Sequence, residues 1–132
     1  MKRHIRFLGN LFNKKNHQNT NVGVDLIEYS DKGIYYVYSP ALDLIGYGKT
    51  EKESRDSWEV VLQEYLSYTI NKNTLIRDLE SRGWKVKRNG LEFMPPTFSW
   101  MLENIEELGT VYNTHDFRKR SQSVALPAQV FA

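Results

Sequence analysis

Residues 31–66 read DKGIYYVYSPALDLIGYGKTEKESRDSWEVVLQEYL, and the fold turns on where the periodicity inside this stretch changes. Asp31-Lys32-Gly33 is a turn signal, because aspartate bonds its own backbone and glycine accepts positive φ. Ile34 to Tyr38 is a β-branched and aromatic run stopped by Ser39-Pro40, and Leu42 to Gly48 is a third short strand. Upstream, Val22, Val24 and Leu26 alternate with Gly23, Asp25 and Ile27 to give the first strand, with Glu28 on its solvent side. At Thr50 the period changes from two to about 3.6. Thr50-Glu51-Lys52-Glu53 is a capping box in which the threonine hydroxyl accepts from a free amide and Glu53 reaches back. Behind it, Ser54, Trp58, Val61, Leu62, Tyr65, Leu66 and Thr69 recur at intervals of three and four, while Glu51, Lys52, Glu53, Arg55, Asp56 and Glu59 fall on the other side. The expected class is α+β: a three-stranded antiparallel meander packed by one long amphipathic helix, βββα.

Further along, Asn71-Lys72-Asn73 ends this unit, and Asn73 or Thr74 caps a shorter helix with Leu75, Ile76 and Leu79 inward and Gly83 as its stop. Trp84 to Arg88 and Leu91 to Met94, joined by Asn89-Gly90, form a hairpin closed by Pro95-Pro96. Thr97 caps a third helix that carries Phe98, Met101, Leu102, Ile105 and Leu108 and ends at Gly109. Residues 121–127 are β-prone without an evident local partner, and such an unpaired strand gains by joining another sheet edge. The chain thus divides into a basic leader (1–20), a βββα unit (21–71), a helix-hairpin-helix extension (72–110) and a C-terminal arm (111–132). Ser123, Val124, Ala125 and Leu126 are expected to pair across a homodimer.

The 132 residues fit one domain with a core of its own. With no cysteine, disulfides, thiolate metal sites and cysteine nucleophiles are excluded. No apolar run approaches the roughly 18–20 residues that span a bilayer, and a cytoplasmic domain is expected. The net charge of +2 is unevenly spread. Lys2, Arg3, Arg6, Lys14 and Lys15 face no acid within the first twenty residues. That leader is too short and too broken in its apolar part for a secretory signal, and reads as flexible.

The chemistry on offer is sparse. Gly48-Lys49-Thr50 stands between strand and helix, but a phosphate-binding loop needs glycine where Asp43 stands, so Gly48 reads as a turn residue and Thr50 as a cap. His4, His17 and His115 are scattered, with only Asp116 beside the last, and no Ser/His/Asp set assembles. Asp25, Glu28, Asp31 and Asp43 are the one carboxylate group that could hold Mg²⁺ for phosphodiester cleavage, the chemistry of a degenerate nuclease. Turn and solvent-side roles explain them more simply. Arg82, Lys85, Lys87 and Arg88, with Trp84 interleaved, offer a basic face to a partner protein or a nucleic acid.

The stretch from Asp31 to Leu42, the Gly48-x-Thr50-x-x-Glu53 turn and the helix through Leu66 together resemble the HicB-like antitoxins. In that family an acidic-Gly turn leads into a strand ending in Pro-x-Leu, here Pro40-Ala41-Leu42, and the helix lies on a three-stranded, reduced ribonuclease-H-like sheet. The match covers residues 22–70, and Asp43-Leu44-Ile45 replace the family's frequent Pro-Gly-Cys. The resemblance implies no enzyme and no cofactor, but a protein that covers the active site of a small RNA-cleaving HicA-type toxin. Such antitoxins often bind DNA through a C-terminal part. Ser123 to Ala128 resembles the strand of a ribbon-helix-helix, but no complete helix-turn-helix follows residue 109. Leu75 to Trp84 echoes the opening of the toxin itself, without the toxin's histidine. The alternative reading is a nucleic-acid-binding module using the leader and the 82–88 hairpin.

Overall fold

The computed structural model describes residues 19–87 and 92–127, so residues 1–18 of the basic leader, Arg88, the Asn89-Gly90 turn and Leu91 lie outside the described residues, while Asn19 and Thr20, read as the leader's end, open the first strand. Strands β1 (Asn19–Asp31), β2 (Ile34–Ser39) and β3 (Leu44–Gly48) form the antiparallel meander, and helix α1 (Glu51–Asn71) follows. Helix α2 (Leu75–Ser81), the short hairpin β4 (Lys85–Val86) and β5 (Phe93–Met94), helices α3 (Phe98–Asn104) and α4 (Glu106–Thr114), and strand β6 (Phe117–Pro127) complete the order. The class is α+β, with a four-stranded sheet in the order β3-β2-β1-β6.

The β1–β2 connection is a two-residue turn at Lys32 and Gly33, both at positive φ (53° and 83°), which leaves Asp31 opposite Ile34. That is the type I′ geometry a right-twisted hairpin favours. The third strand begins at Leu44 rather than Leu42: Ala41 and Leu42 are buried in the preceding turn, where Asp43 takes a φ of 56°.

Helix α1 starts as its sequence requires. Thr50 Oγ1 accepts from the Glu53 amide at 3.0 Å, while the Glu53 carboxylate accepts from the Lys49 amide at 2.9 Å, one residue before the cap. The Lys49 amide is therefore occupied by a carboxylate in the place where a phosphate loop would need it free. Trp58, Leu62 and Leu66 point into the core, and the Trp58 indole Nε1 donates to Ser39 Oγ at 3.0 Å. Gly46 and Gly48 let the helix lie directly on β3. A β-carbon at Gly48 would stand 2.4 Å from Glu53 Cβ, so this glycine serves a close approach and not merely a turn.

Two expectations are corrected here. The arm does not reach outward: β6 pairs with β1 of its own chain over eleven positions, Ser123 opposite Gly23, Val124 opposite Val22, Ala125 opposite Asn21 and Leu126 opposite Thr20. A first strand of 13 residues, longer than the meander needs, supplies the missing partner. Val124 and Leu126 are fully part of the core. The helix from Thr97 is also not continuous. Ile105 turns extended (φ −115°, ψ 108°), and the chain restarts as α4 with Gly109 inside it. A β-branched residue accepts the extended conformation readily.

Leu75, Leu79, Trp84 and Phe93 from the extension join Leu26, Leu66, Val124 and Leu126 in one hydrophobic cluster. Trp84 Nε1 donates to the Ala41 carbonyl at 2.7 Å, which fastens the hairpin to the β2–β3 turn. The extension is therefore built into the core of the βββα unit.

Candidate functional site

Of the three described hairpin cations, Arg82 and Lys87 are paired with acids. Arg82 Nε lies 3.0 Å from Asp78 Oδ2, and its Nη1 lies 3.4 Å from Asp43 Oδ2. Asp78 also accepts from the Tyr65 hydroxyl. Lys87 Nζ sits 3.0 Å from Glu92. Lys85 is exposed and has no ion pair among the described residues. The strand does split as its alternation dictates, with Trp84 and Val86 buried and Lys85 and Lys87 outward. Yet a surface meant for phosphates would keep several cations unpaired, and among the described residues this one keeps a single lysine.

The strongest electrostatic feature was not legible as such. Glu28, read as a solvent-side residue, is 9% exposed. Its carboxylate accepts from Arg55 Nε and Nη2, both at 3.2 Å, from Arg120 Nε at 2.7 Å and from Arg118 Nη2 at 3.2 Å. Arg55 comes from α1 and the other two from β6, whose Arg118 stands opposite Glu28 in register. Glu51 adds a second acid, 3.4 Å from Arg118 and 3.6 Å from Arg55. Burial by itself would raise the Glu28 carboxyl. The hydrogen bonds and charges of Arg55 and Arg120 outweigh it and hold the group below the usual carboxylate range. These contacts knit helix, first strand and last strand together. They are a structural lock.

The four candidate carboxylates do not converge. Glu28 belongs to the arginine cluster, Asp43 pairs with Arg82, and Asp31 ends β1 near His115, whose Nε2 is 3.9 Å from its Oδ2. Among the described residues no three His, Cys, Asp or Glu stand close enough to hold a metal ion. His115 has thus found Asp31, not its sequence neighbour Asp116, and it packs against the Tyr29 ring at 5.1 Å.

The face of the sheet opposite α1 carries a groove of about 510 Å³, bounded by α4 and lined by Tyr29, Tyr36, Tyr38, Leu44, Ile45 and Val111. Its acids are Asp31, Asp43, Glu106 and Glu107, with His115 at one end. Tyr29 stacks on Tyr36 at 5.1 Å, and Tyr36 meets Tyr47 at 6.5 Å with the rings tilted by 39°. These tyrosines share a face because residues two apart on a strand do, and cross-strand pairing sets Tyr29 opposite Tyr36. The signal was present in the sequence as five tyrosines between 29 and 47, but nothing there shows that Glu106 and Glu107 come to meet them.

No helix among the described residues is long and apolar enough to cross a membrane. Comparison with known protein families, with characterised proteins and with solved structures finds no match in any of the three.

Proposed function

We propose that this chain is a non-enzymatic interaction protein of the HicB antitoxin type, which binds and masks a small RNA-cleaving toxin resembling HicA. The observation that carries the reading is the coincidence of the quoted motifs with the joints of the βββα unit. Asp31-Lys32-Gly33 makes the type I′ turn, Pro40-Ala41-Leu42 makes the buried corner that receives Trp84, and Gly48 with Thr50 and Glu53 seats α1 on the sheet. A scaffold of this kind needs no reactive group, and its conspicuous charged contacts, Glu28 with three arginines and Arg82 with two aspartates, are ion pairs between elements. Masking another protein needs surface complementarity rather than chemistry.

The test begins with the gene next to this one. If it encodes a small protein with Gly-Ser-His on a predicted strand, the two are produced together and purified through a tag on one. The expected result is a stoichiometric complex in which RNA cleavage by the small protein is arrested. A toxin that cleaves RNA equally well in the presence of this chain overturns the reading, as does Mg²⁺-dependent RNA cleavage by this chain alone that Asp25→Asn and Asp43→Asn abolish.

A further inference from the structure

We infer that the tyrosine-lined groove between the sheet and α4 is a docking site for a cationic, arginine- or lysine-bearing segment of a partner protein. The site stands whether or not that partner is a toxin.

Charge is the first argument. Four carboxylates line the groove, and among the described residues the only ion-pair partners they have are Arg82, paired with Asp43, and His115, beside Asp31. Glu106 and Glu107 form no ion pair among the described residues. A chain whose overall charge is +2 has therefore gathered a local acidic field at one aromatic surface. Elsewhere it spends carboxylates on neutralising its own arginines.

The second argument is independent of charge. The Tyr38 side chain is 5% exposed, and among the described residues its hydroxyl is the only buried side-chain polar atom with no hydrogen-bond partner. Tyr38 is one of the residues that line the groove, and the negative charges of Asp43 and Glu107 act upon its phenol. A buried phenol left unpaired is costly, and native structures rarely keep one without a reason. Its oxygen is left to accept from an ammonium or a guanidinium that reaches it through the groove.

Aromatic rings add to the same preference. Tyr29 and Tyr36, stacked on each other, both line the groove, and cations are drawn to aromatic rings within about 6 Å of the centroid. A guanidinium also lies flat on them while its edges donate to carboxylates. The volume exceeds one side chain, and the surface continues over Ile45 and Tyr47, which are 44% and 64% exposed on the β3 edge. That apolar shoulder would be left uncovered by a free amine. It suits a peptide whose neighbouring residues lie across the strand. A partner protein is accordingly the occupant, and its cation is the anchor.

The probe is a capped peptide with two arginines spaced by glycine, set against its glutamine counterpart and against arginine amide, each titrated into the full-length chain and followed by the tyrosine ring resonances. The arginine peptide is expected to bind saturably, to perturb Tyr29, Tyr36 and Tyr38, and to bind at least tenfold more tightly than either control. Glu106→Gln with Glu107→Gln should weaken it at least fivefold while the melting temperature stays within a few degrees. Tyr38→Phe should also weaken binding, yet leave the free protein as stable as before or more so, since it removes an unpaired buried hydroxyl. Equal affinity for arginine amide places a small-molecule site here and overturns the partner-segment proposal. Binding that survives the groove variants overturns it as well, as does Tyr38→Phe that lowers stability and leaves affinity untouched. Because the probe is a synthetic peptide, these outcomes are read without any toxin.

Discussion

A β-carbon placed on Gly46 would stand 2.3 Å from the Trp58 backbone nitrogen and 2.6 Å from its Cα, so helix and strand touch backbone to backbone at this point. Real β-carbons do not approach so closely, and neither atom belongs to a side chain that could swing away. Gly46→Ala must therefore lift α1 from β3 or bend the strand. Overpacking a core typically costs about 1–3 kcal/mol and more where backbone must move. The variant is expected at the upper end of that range or unfolded, as read by chemical denaturation. A melting temperature within a few degrees of the parent would mean that α1 does not lie directly on β3.

Glu28 gives a prediction that depends on pH. Its folded carboxyl titrates below the usual value, so its contribution is complete above the unfolded pKa of about 4.3 and is lost as pH falls through the lower folded value. Glu28→Gln resembles the protonated state and leaves Arg55, Arg118 and Arg120 facing one another. Removing one member of a fully buried pair costs roughly 3–5 kcal/mol. Here the arginine side chains are 37–65% exposed, and solvent screening reduces the effect to about 1–3 kcal/mol at pH 7. The gap between parent and variant should narrow as the buffer is taken from pH 5 towards pH 3. A gap that widens on acidification, or stays constant, would show that Glu28 is not ionised in the folded protein.

Gly109 points the other way. It lies inside α4 at an ordinary helical φ, and an added β-carbon would meet nothing nearer than the Leu102 carbonyl oxygen at 3.9 Å. Alanine in a helix interior is favoured over glycine by roughly 0.5–1 kcal/mol. Gly109→Ala is expected to raise the denaturation midpoint by that amount. A loss of stability would mean that α4 needs glycine's freedom, as a helix stop at this position would.

The contrast between Thr50 and Glu28 shows what the chain's sequence discloses. The Thr50 cap, the Trp58 stripe and the Lys32-Gly33 turn are decided within a few residues, by local hydrogen bonds and by φ, and they stand where the sequence places them. Glu28 finds its arginines 27, 90 and 92 positions away, and nothing local marks it as buried. The groove has the same origin: its tyrosines come from β1 and β2, Leu44 and Ile45 from β3, and two of its acids from α4. Ile105 failed for another reason. A heptad-like spacing of apolar residues persists across a break that only backbone conformation reveals.

Strand β6 carries the last prediction, because its position separates two kinds of protein. If residues 121–127 were an arm exchanged between subunits, removing them would leave a folded monomer. In the structure they are the outer strand of their own sheet, with Val124 at 3% exposure and Leu126 at 0%, and with Arg118 and Arg120 closing over Glu28. The preceding run Arg118-Lys119-Arg120 also places three basic side chains on the strand that ends the sheet among the described residues, and charge on an edge opposes pairing with another sheet. Leu126→Ala alone should cost about 2–5 kcal/mol, as for other buried leucines. Deletion of residues 117–132 removes that packing together with the whole β1–β6 ladder, and should abolish cooperative unfolding altogether. Sedimentation of the parent chain and calorimetry of the truncated one check this together. A parent dimer that becomes a cooperatively folded monomer on truncation would restore the exchanged arm. A truncated chain with no thermal transition places β6 in the fold of its own subunit.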